Sequence, residues 1–310
     1  MSPLPSPAAD KSIEAMTRRH LLAASAAAAM PLTAAGAVKS KGVLSTERPR
    51  LLEGKVAVVY GAAGSIGSSV ARAFAAEGAH VLLVGRTLAT LQEVAIAIST
   101  AGGKATVAVF DAFDREAIET HLEQVMETHG RLDISFNLVS LRDTQGQPLM
   151  RMSAEAFDIT IADAMRTQFL TATAAARHMA PRRAGVILML TAQVARKPYA
   201  GSGGFGVACA AMEGLCRQLA VEAGPDNIRV VTLRSSGSPD AAGVAAAIAD
   251  HARLAGVTRE AFEADIADKT MLKHMPRMAE IANAAVLMAS DRASAITAAV
   301  TNVTCGELAD

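Results

Sequence analysis

The clearest chemical signal in this chain is a glycine-rich turn that follows a Val-rich run. The run is Val56–Tyr60, and the turn reads Gly61-Ala62-Ala63-Gly64-Ser65-Ile66-Gly67. The run suits a buried parallel strand, and a helix is predicted from about Ile66 to Ala76. Glycines between a strand and a helix let the backbone approach a pyrophosphate, which the helix N-terminus can face. The pattern therefore predicts a nucleotide site.

A second signal follows the next predicted strand, His80–Val84, where the chain reads Gly85-Arg86-Thr87. A site that prefers NAD(H) usually offers a carboxylate to the ribose hydroxyls here, and the sequence has none at this place. An arginine favours a 2′-phosphate instead. The sequence therefore predicts NADP(H) rather than NAD(H) as the bound nucleotide. A solvated loop charge is the alternative for Arg86.

The composition fits one large α/β domain. Of 310 residues, 51% are apolar and 3% are aromatic, so a core of small aliphatic side chains is expected. Thirty basic and thirty acidic residues cancel, which argues against nucleic acid as a partner. The three cysteines, Cys209, Cys216 and Cys305, show neither metal-ligand spacing nor an even disulfide framework. Neither a metal site nor a disulfide is predicted.

From Leu52 onward the chain resembles a short-chain dehydrogenase/reductase. The resemblance rests on the glycine-rich turn and on stretches such as Ala210-Ala211-Met212-Glu213-Gly214-Leu215. It implies a single doubly wound parallel-sheet (Rossmann) domain over 52–310, with seven strands and helices on both faces. It also implies that Asp111 contacts the adenine, after a third strand at Thr106–Phe110, and that Asn137 ends the fourth strand beside the cofactor.

The same resemblance places residues without the required polar groups at the family's catalytic positions. The family's Tyr-x-x-x-Lys reads Phe205-Gly206-Val207-Ala208-Cys209, its Ser falls on Ala192, and its Asn falls on Ala164. In the family the Tyr donates a proton, the Lys lowers the pKa of that Tyr, the Ser orients the carbonyl and the Asn supports a proton relay. Each role needs a polar atom at a fixed point. A reductase of the usual mechanism is therefore not expected.

Neighbouring residues offer few replacements. Thr191 precedes Ala192 in a strand, so its hydroxyl is expected to face away from the catalytic position. Tyr199 lies in a glycine-rich stretch ahead of that position, and Cys209 has no adjacent His or cation in the sequence to activate it as a nucleophile. In the predicted covering segment, His251 and its charged neighbours have the spacing of a solvated helix.

Three functions stay open. The leading hypothesis is an NADP(H)-binding homologue, inactive or strongly impaired by the usual mechanism, that serves as a binding, scaffolding or regulatory protein. An NADPH-dependent oxidoreductase with a non-standard proton donor is one alternative, because the cofactor carries the hydride chemistry. The other is a homo-oligomer or a non-catalytic partner subunit of an active relative, since family members commonly assemble through helices that match Ala154–Ala180 and Gly203–Val221. The sequence names no substrate.

The first 38 residues have the pattern of an export signal. Arg18 and Arg19 precede an Ala-rich run that ends in a small-x-small pattern at Ala35-Gly36-Ala37. The run is too weakly hydrophobic for a stable membrane anchor. We therefore predict that residues 1–38 form a twin-arginine signal preceded by a disordered segment and that residues 39–51 form a linker. The protein is then expected to be periplasmic or otherwise exported. The alternative is an over-extended start and a cytoplasmic protein.

Overall fold

A parallel sheet forms the centre of the part of the chain that the computed structural model describes, residues 49–309. Within those residues its seven strands are β1 Val56–Tyr60, β2 His80–Gly85, β3 Lys104–Val109, β4 Ile134–Asn137, β5 Gly185–Ala192, β6 Ile228–Ser235 and β7 Ala299–Val303. Their order is β3-β2-β1-β4-β5-β6-β7, and all neighbours are parallel. The predicted doubly wound fold is confirmed.

Helices cover both faces of this sheet. They are α1 Ser65–Ala76, α2 Leu88–Thr100, α3 Arg115–His129, α4 Ala154–Met179, α5 Gly203–Ala223, α6 Ala242–Ala255, α7 Arg259–Lys269 and α8 Met278–Ala289. One apolar layer joins the sheet to α1, α2 and α8, and a second joins it to α3, α4 and α5. Strand β1 is buried at every residue, as a parallel sheet covered on both faces requires.

The observed elements differ from the predicted ones mainly at their ends. The third strand runs over Lys104–Val109 rather than Thr106–Phe110. It lies at the edge of the sheet, and its register with β2 extends back to the pair of His80 with Lys104. Pairing with a neighbour decides where this strand begins, and the apolar pattern alone does not contain that information.

The strand order reverses between β1 and β4, and this reversal positions the site. The chain runs outward from β1 through β2 to β3, then returns to begin β4 on the other side of β1. In open sheets of this kind, ligands bind outside the carboxyl ends of the strands at the reversal. Gly61 follows β1 at that point, and Leu138 follows β4 beside it.

The predicted export signal and residues 39–48 of the predicted linker lie outside the described residues. Within the described residues, none of the helices combines the length and the apolar character needed to cross a membrane.

Candidate functional site

Two glycines of the glycine-rich turn lie where the surrounding backbone leaves no room for a side chain. Gly61 has φ +72°, and a Cβ atom there would lie 2.5 Å from the carbonyl oxygen of Leu138. A Cβ atom on Gly67 would lie 2.1 Å from the carbonyl oxygen of Gly61. Helix α1 follows Gly64 with no side-chain hydrogen bond at its N-cap. Its first amide groups therefore point to the place where an anion would bind.

The turn also contacts the start of helix α6. Ser65 Oγ accepts a hydrogen bond from the backbone N–H of Ala242, 3.3 Å away, at the start of α6. Ile66 packs against the apolar layer that joins the sheet to α1, α2 and α8. Ser65, at the place of the family's middle glycine, therefore connects the turn to the start of α6.

The other predicted cofactor residues lie at the carboxyl ends of three strands. Arg86 is exposed after β2, and Asp111 is exposed after β3, where its Oδ1 accepts a hydrogen bond from the N–H of Phe113 at 3.1 Å. Asn137 at the end of β4 is buried, and its amide is engaged within the protein. Its Nδ2 donates to hydroxyls on α4, at Thr167 and Thr171, and its Oδ1 accepts from the N–H of Val139 at 3.0 Å. Asn137 therefore shapes the turn after β4.

The four positions that the sequence resemblance assigns to the family's catalytic residues meet in one apolar cluster. Ala164 comes from α4, Ala192 from the end of β5, and Phe205 and Cys209 from successive turns of α5. Ala164 and Cys209 are fully buried. Of the residues that the structure describes, this cluster also contains Leu141, Ile161, Met165, Val194, Ala195, Ala208 and Met212. We call it the central apolar cluster. Its side chains present no hydroxyl, amide or ammonium group.

Comparisons with known proteins decide the family. A family model described as Enoyl-(Acyl carrier protein) reductase matches residues 61–307. The chain belongs to the short-chain dehydrogenase/reductase family. It is 29% identical over 250 residues to secoisolariciresinol dehydrogenase of Forsythia intermedia, a match that covers 80% of this chain and 87% of that protein.

Two further similarities differ in extent. Fatty acyl-CoA reductase of Acinetobacter baylyi is 36% identical over 147 residues, so the match spans 45% of this chain and about half, 48%, of that relative. The structure of NAD+-bound xylitol dehydrogenase superposes with a TM-score of 0.76 at 20% identity, over 81% of this chain and 98% of that one. The second similarity shows the shared fold.

Within this short-chain dehydrogenase/reductase, the polar atoms nearest the catalytic positions are used for other purposes. Burial raises the pKa of Cys209 to about 12, and the carboxylates of Glu213 and Asp143 add to the rise, so this thiol is not activated. Thr191 Oγ1 donates to Glu213 Oε1 at 3.2 Å, as the alternation of strand side chains predicts. Glu213 also accepts two hydrogen bonds of 2.8 Å from Arg234. A buried ion pair therefore holds the hydroxyl that precedes Ala192.

Sequence reasoning missed a polar network beside the central apolar cluster. Gln145 Nε2 donates to Asp143, and Gln145 Oε1 lies 2.8 Å from His251 Nε2. Thr160 Oγ1 donates to Asp143 Oδ1 at 3.4 Å, and the ring of Tyr199 packs edge-on against His251 with 5.0 Å between centroids. The expectation of a solvated helix was wrong for His251, which is 6% exposed, because α6 packs against the loop after β4.

The electrostatics of this network follow from partial desolvation, which is greatest by surface area at His251. Burial raises the pKa of Asp143 and lowers the pKa of His251. Burial also raises the pKa of Tyr199, and negative charges nearby, including Asp143, add to that rise. Each titratable side chain is thus shifted toward its neutral form. The shift favours the protonated form of Asp143 and Tyr199 and the unprotonated imidazole of His251.

An ion pair fixes the loop after β4 onto α4. Arg142 donates to Asp163 through Nε at 2.7 Å and through Nη2 at 2.6 Å, next to Ala164. The guanidinium holds the pKa of Asp163 below its usual range. A bidentate pair of this type has a defined geometry, so it keeps Asp143 and the rest of the loop in place above the cluster.

Proposed function

We propose that this protein binds NADP(H) and does not catalyse carbonyl reduction by the family's Ser-Tyr-Lys mechanism, acting instead through binding, as a scaffolding or regulatory protein. The central apolar cluster is the observation that carries the proposal. A general acid contributes roughly 10²- to 10⁴-fold in rate, and an oriented donor a similar factor. Ala164, Ala192, Phe205 and Cys209 bring neither to the place where the family keeps both.

The residues of the nucleotide half fit the proposed ligand. The amides of 61–67 would hold the pyrophosphate, Arg86 the 2′-phosphate and Asp111 the adenine, with Asn137 shaping the turn beside them. A bound nicotinamide nucleotide supplies a hydride donor or acceptor. The NAD+-bound xylitol dehydrogenase supports a nicotinamide nucleotide as the ligand, and the choice of the phosphorylated form rests on Arg86 and on the lack of a carboxylate in the stretch 85–87 after β2.

Fluorescence titration of the full chain tests the binding. We expect NADPH to bind more tightly than NADH, and Arg86→Ala to weaken NADPH about 10- to 100-fold, the range for a lost charge-assisted hydrogen bond, without changing NADH. Arg72→Ala, an exposed arginine on α1, is the matched control and should change neither affinity. Equal affinity for both nucleotides would refute the NADP(H) preference, and no binding of either would refute the site.

A turnover assay tests the proposed lack of the usual mechanism. NADPH consumption with a panel of ketones and aldehydes should stay at background for the natural chain. Restoring the three family residues together, as Ala192→Ser, Phe205→Tyr and Cys209→Lys, should produce activity where the variant folds. Turnover already present in the natural chain, and unchanged by the triple substitution, would overturn the proposal.

The polar network favours an oxidoreductase with a different proton donor as the second candidate. His251 is a buried titratable group near the catalytic positions, and Asp143 and Tyr199 are partly desolvated ones, each shifted toward its neutral form. If this candidate is correct, Asp143→Asn or Tyr199→Phe lowers kcat and leaves NADPH affinity unchanged. If neither variant changes the turnover, the network is not the donor.

Exposed apolar side chains favour assembly through α4 and α5, as proposed for a partner subunit or a homo-oligomer. Phe169 on α4 is 48% exposed, and Val207 and Val221 on α5 are 46% and 72% exposed. Replacing Phe169 and Val221 by Glu should shift the native assembly to smaller species in gel filtration. Co-purification of a second family member from the native cell would identify a hetero-assembly, and a homo-oligomer would exclude one.

Export by the twin-arginine route remains part of the proposal, supported by Arg18, Arg19 and the run that follows them. Replacing both arginines by lysine should leave the precursor unprocessed and inside the cell. Unchanged processing and location would favour the cytoplasmic alternative.

A further inference from the structure

Three side chains of the kinds that bind metals meet near the carboxyl end of β7. His274 lies between α7 and α8, Glu280 lies in the first turn of α8, and Cys305 follows β7. The His274 Nδ1, a carboxylate oxygen of Glu280 and the Cys305 Sγ all lie within 4.8 Å of one another. The three come from separate segments, which is why the spacing of the cysteines gives no sign of them.

We propose that His274, Glu280 and Cys305 form a zinc site. Zinc binds imidazole nitrogen, carboxylate oxygen and thiolate sulfur, most often in a tetrahedral arrangement. With a Zn–N bond of about 2.1 Å and a Zn–S bond of about 2.3 Å, tetrahedral geometry puts the nitrogen and sulfur about 3.6 Å apart. His274 Nδ1 and Cys305 Sγ are 3.6 Å apart.

The carboxylate must move closer to both other ligands. His274 Nδ1 and Glu280 Oε2 are 4.0 Å apart, against about 3.4 Å for the tetrahedral edge, so this edge must shorten by roughly 0.6 Å. The Glu280–Cys305 edge, which is within 4.8 Å, must reach about 3.6 Å. Rotation of two exposed side chains can provide these shifts, because His274 and Glu280 are 46% and 45% exposed.

A backbone group already orients one of the ligands. Glu280 Oε2 accepts a hydrogen bond of 2.8 Å from the N–H of Arg277, where it caps α8. Outer contacts of this kind set ligand orientation in metal sites. His274 Nδ1 lies 3.1 Å from the carbonyl oxygen of Met275, a hydrogen bond in the tautomer whose proton is on Nδ1. Metal binding would replace that hydrogen bond, because the metal takes the Nδ1 lone pair of the tautomer whose proton is on Nε2.

The donor set also selects the class of ion. Sulfur and imidazole ligands disfavour Ca2+ and Mg2+, which prefer oxygen, and favour Zn2+ and its neighbours in the transition series. On binding, the Cys305 thiol loses its proton to the solvent and a Zn–S bond forms, with no change in oxidation state. Three protein ligands leave a fourth position for water.

Bound zinc would tie the covering segment to the sheet. The N–H of Leu272 donates to the carbonyl oxygen of Cys305 at 3.0 Å, so the α7–α8 connection already pairs with the turn after β7. A metal at Cys305 and His274 would join the same two segments through their side chains. Zinc should therefore stabilise this end of the molecule as well as bind to it.

Calorimetric titration of the chelator-treated full chain with ZnCl2 tests the proposal, without a histidine tag and with a phosphine as reductant. We expect one zinc per chain, and a loss of affinity of at least about 100-fold in both Cys305→Ser and His274→Ala. His129→Asn is the matched control, because the His80 and His129 rings lie 4.7 Å apart and offer a second pair of imidazoles.

Thermal unfolding and cobalt substitution give independent measurements. Zinc should raise the Tm of the natural chain and of His129→Asn but not of Cys305→Ser, and Co2+ should give a thiolate charge-transfer band only when Cys305 is present. No binding to the natural chain, full binding to both ligand variants, or loss of binding in His129→Asn would overturn the zinc site. These results do not depend on nucleotide binding or turnover.

Discussion

Substitution of Gly67 by alanine tests the assignment of the nucleotide turn. An added Cβ would lie 2.1 Å from the Gly61 carbonyl oxygen and 2.9 Å from its carbonyl carbon, so it meets backbone that cannot move without opening the turn. Overpacking of this kind costs roughly 1–3 kcal/mol, and contact with backbone alone places Gly67 near the upper value. Alanine returns about 1 kcal/mol through its better helix propensity. The net loss is about 2 kcal/mol, or roughly 4–8 °C in Tm.

The same substitution at Gly214 is the control. Gly214 lies inside α5, and a Cβ there would meet nothing within 4 Å. Gly214→Ala should therefore gain up to about 1 kcal/mol, or roughly 2–4 °C in Tm. Thermal melts and NADPH titration of both variants give the comparison: Gly67→Ala should lose stability and nucleotide affinity together, and Gly214→Ala should keep its affinity. Stability and affinity unchanged in Gly67→Ala would refute the tight turn.

Three other predictions concern the protein around the site. Glu213→Ala should lower the free energy of unfolding by about 3–5 kcal/mol, measured by chemical denaturation, because it removes a carboxylate that pairs with Arg234, whose side chain is 2% exposed. A loss below about 1 kcal/mol would contradict this prediction. Because Arg142 depresses the pKa of Asp163, that pair stabilises the fold above the ordinary Asp pKa, so Arg142→Ala should lower Tm at pH 7 and the difference should shrink below about pH 4. A maleimide should label Cys305 in the folded chain and reach the two buried cysteines only after unfolding, as peptide mass spectrometry would show.

The sequence predicts the fold because the signals for it are local. The apolar run of β1 and the glycines after it define one βαβ unit, and the observed strand order agrees with the resemblance. The elements that carry the assigned catalytic positions were also predictable, since Phe205 and Cys209 are four residues apart on one helix and Ala192 ends the strand before it. The ends of the strands were harder to predict from the sequence, because pairing with β2 decides where β3 begins.

Residues that meet only through loop packing were not predictable. Gln145 and His251 are 106 residues apart, and their contact depends on how α6 packs against the loop after β4. His274 and Cys305 likewise meet because the α7–α8 connection pairs with the turn after β7. No periodicity or spacing in the sequence encodes these contacts, since each requires the position of two loops that the sheet itself does not fix.

The packing of Ala164, Ala192, Phe205 and Cys209 against one another makes their present state hard to leave by single steps. Ala164→Asn adds volume and polar atoms to a filled apolar space, and Cys209→Lys adds a charge to it, so each costs stability of about a kcal/mol or more. Under the proposed function no activity would offset that cost, because catalytic residues that act as a unit give little when restored one at a time. Evolution toward the family's usual mechanism by single substitutions would then pass through less stable intermediates that gain little of that mechanism.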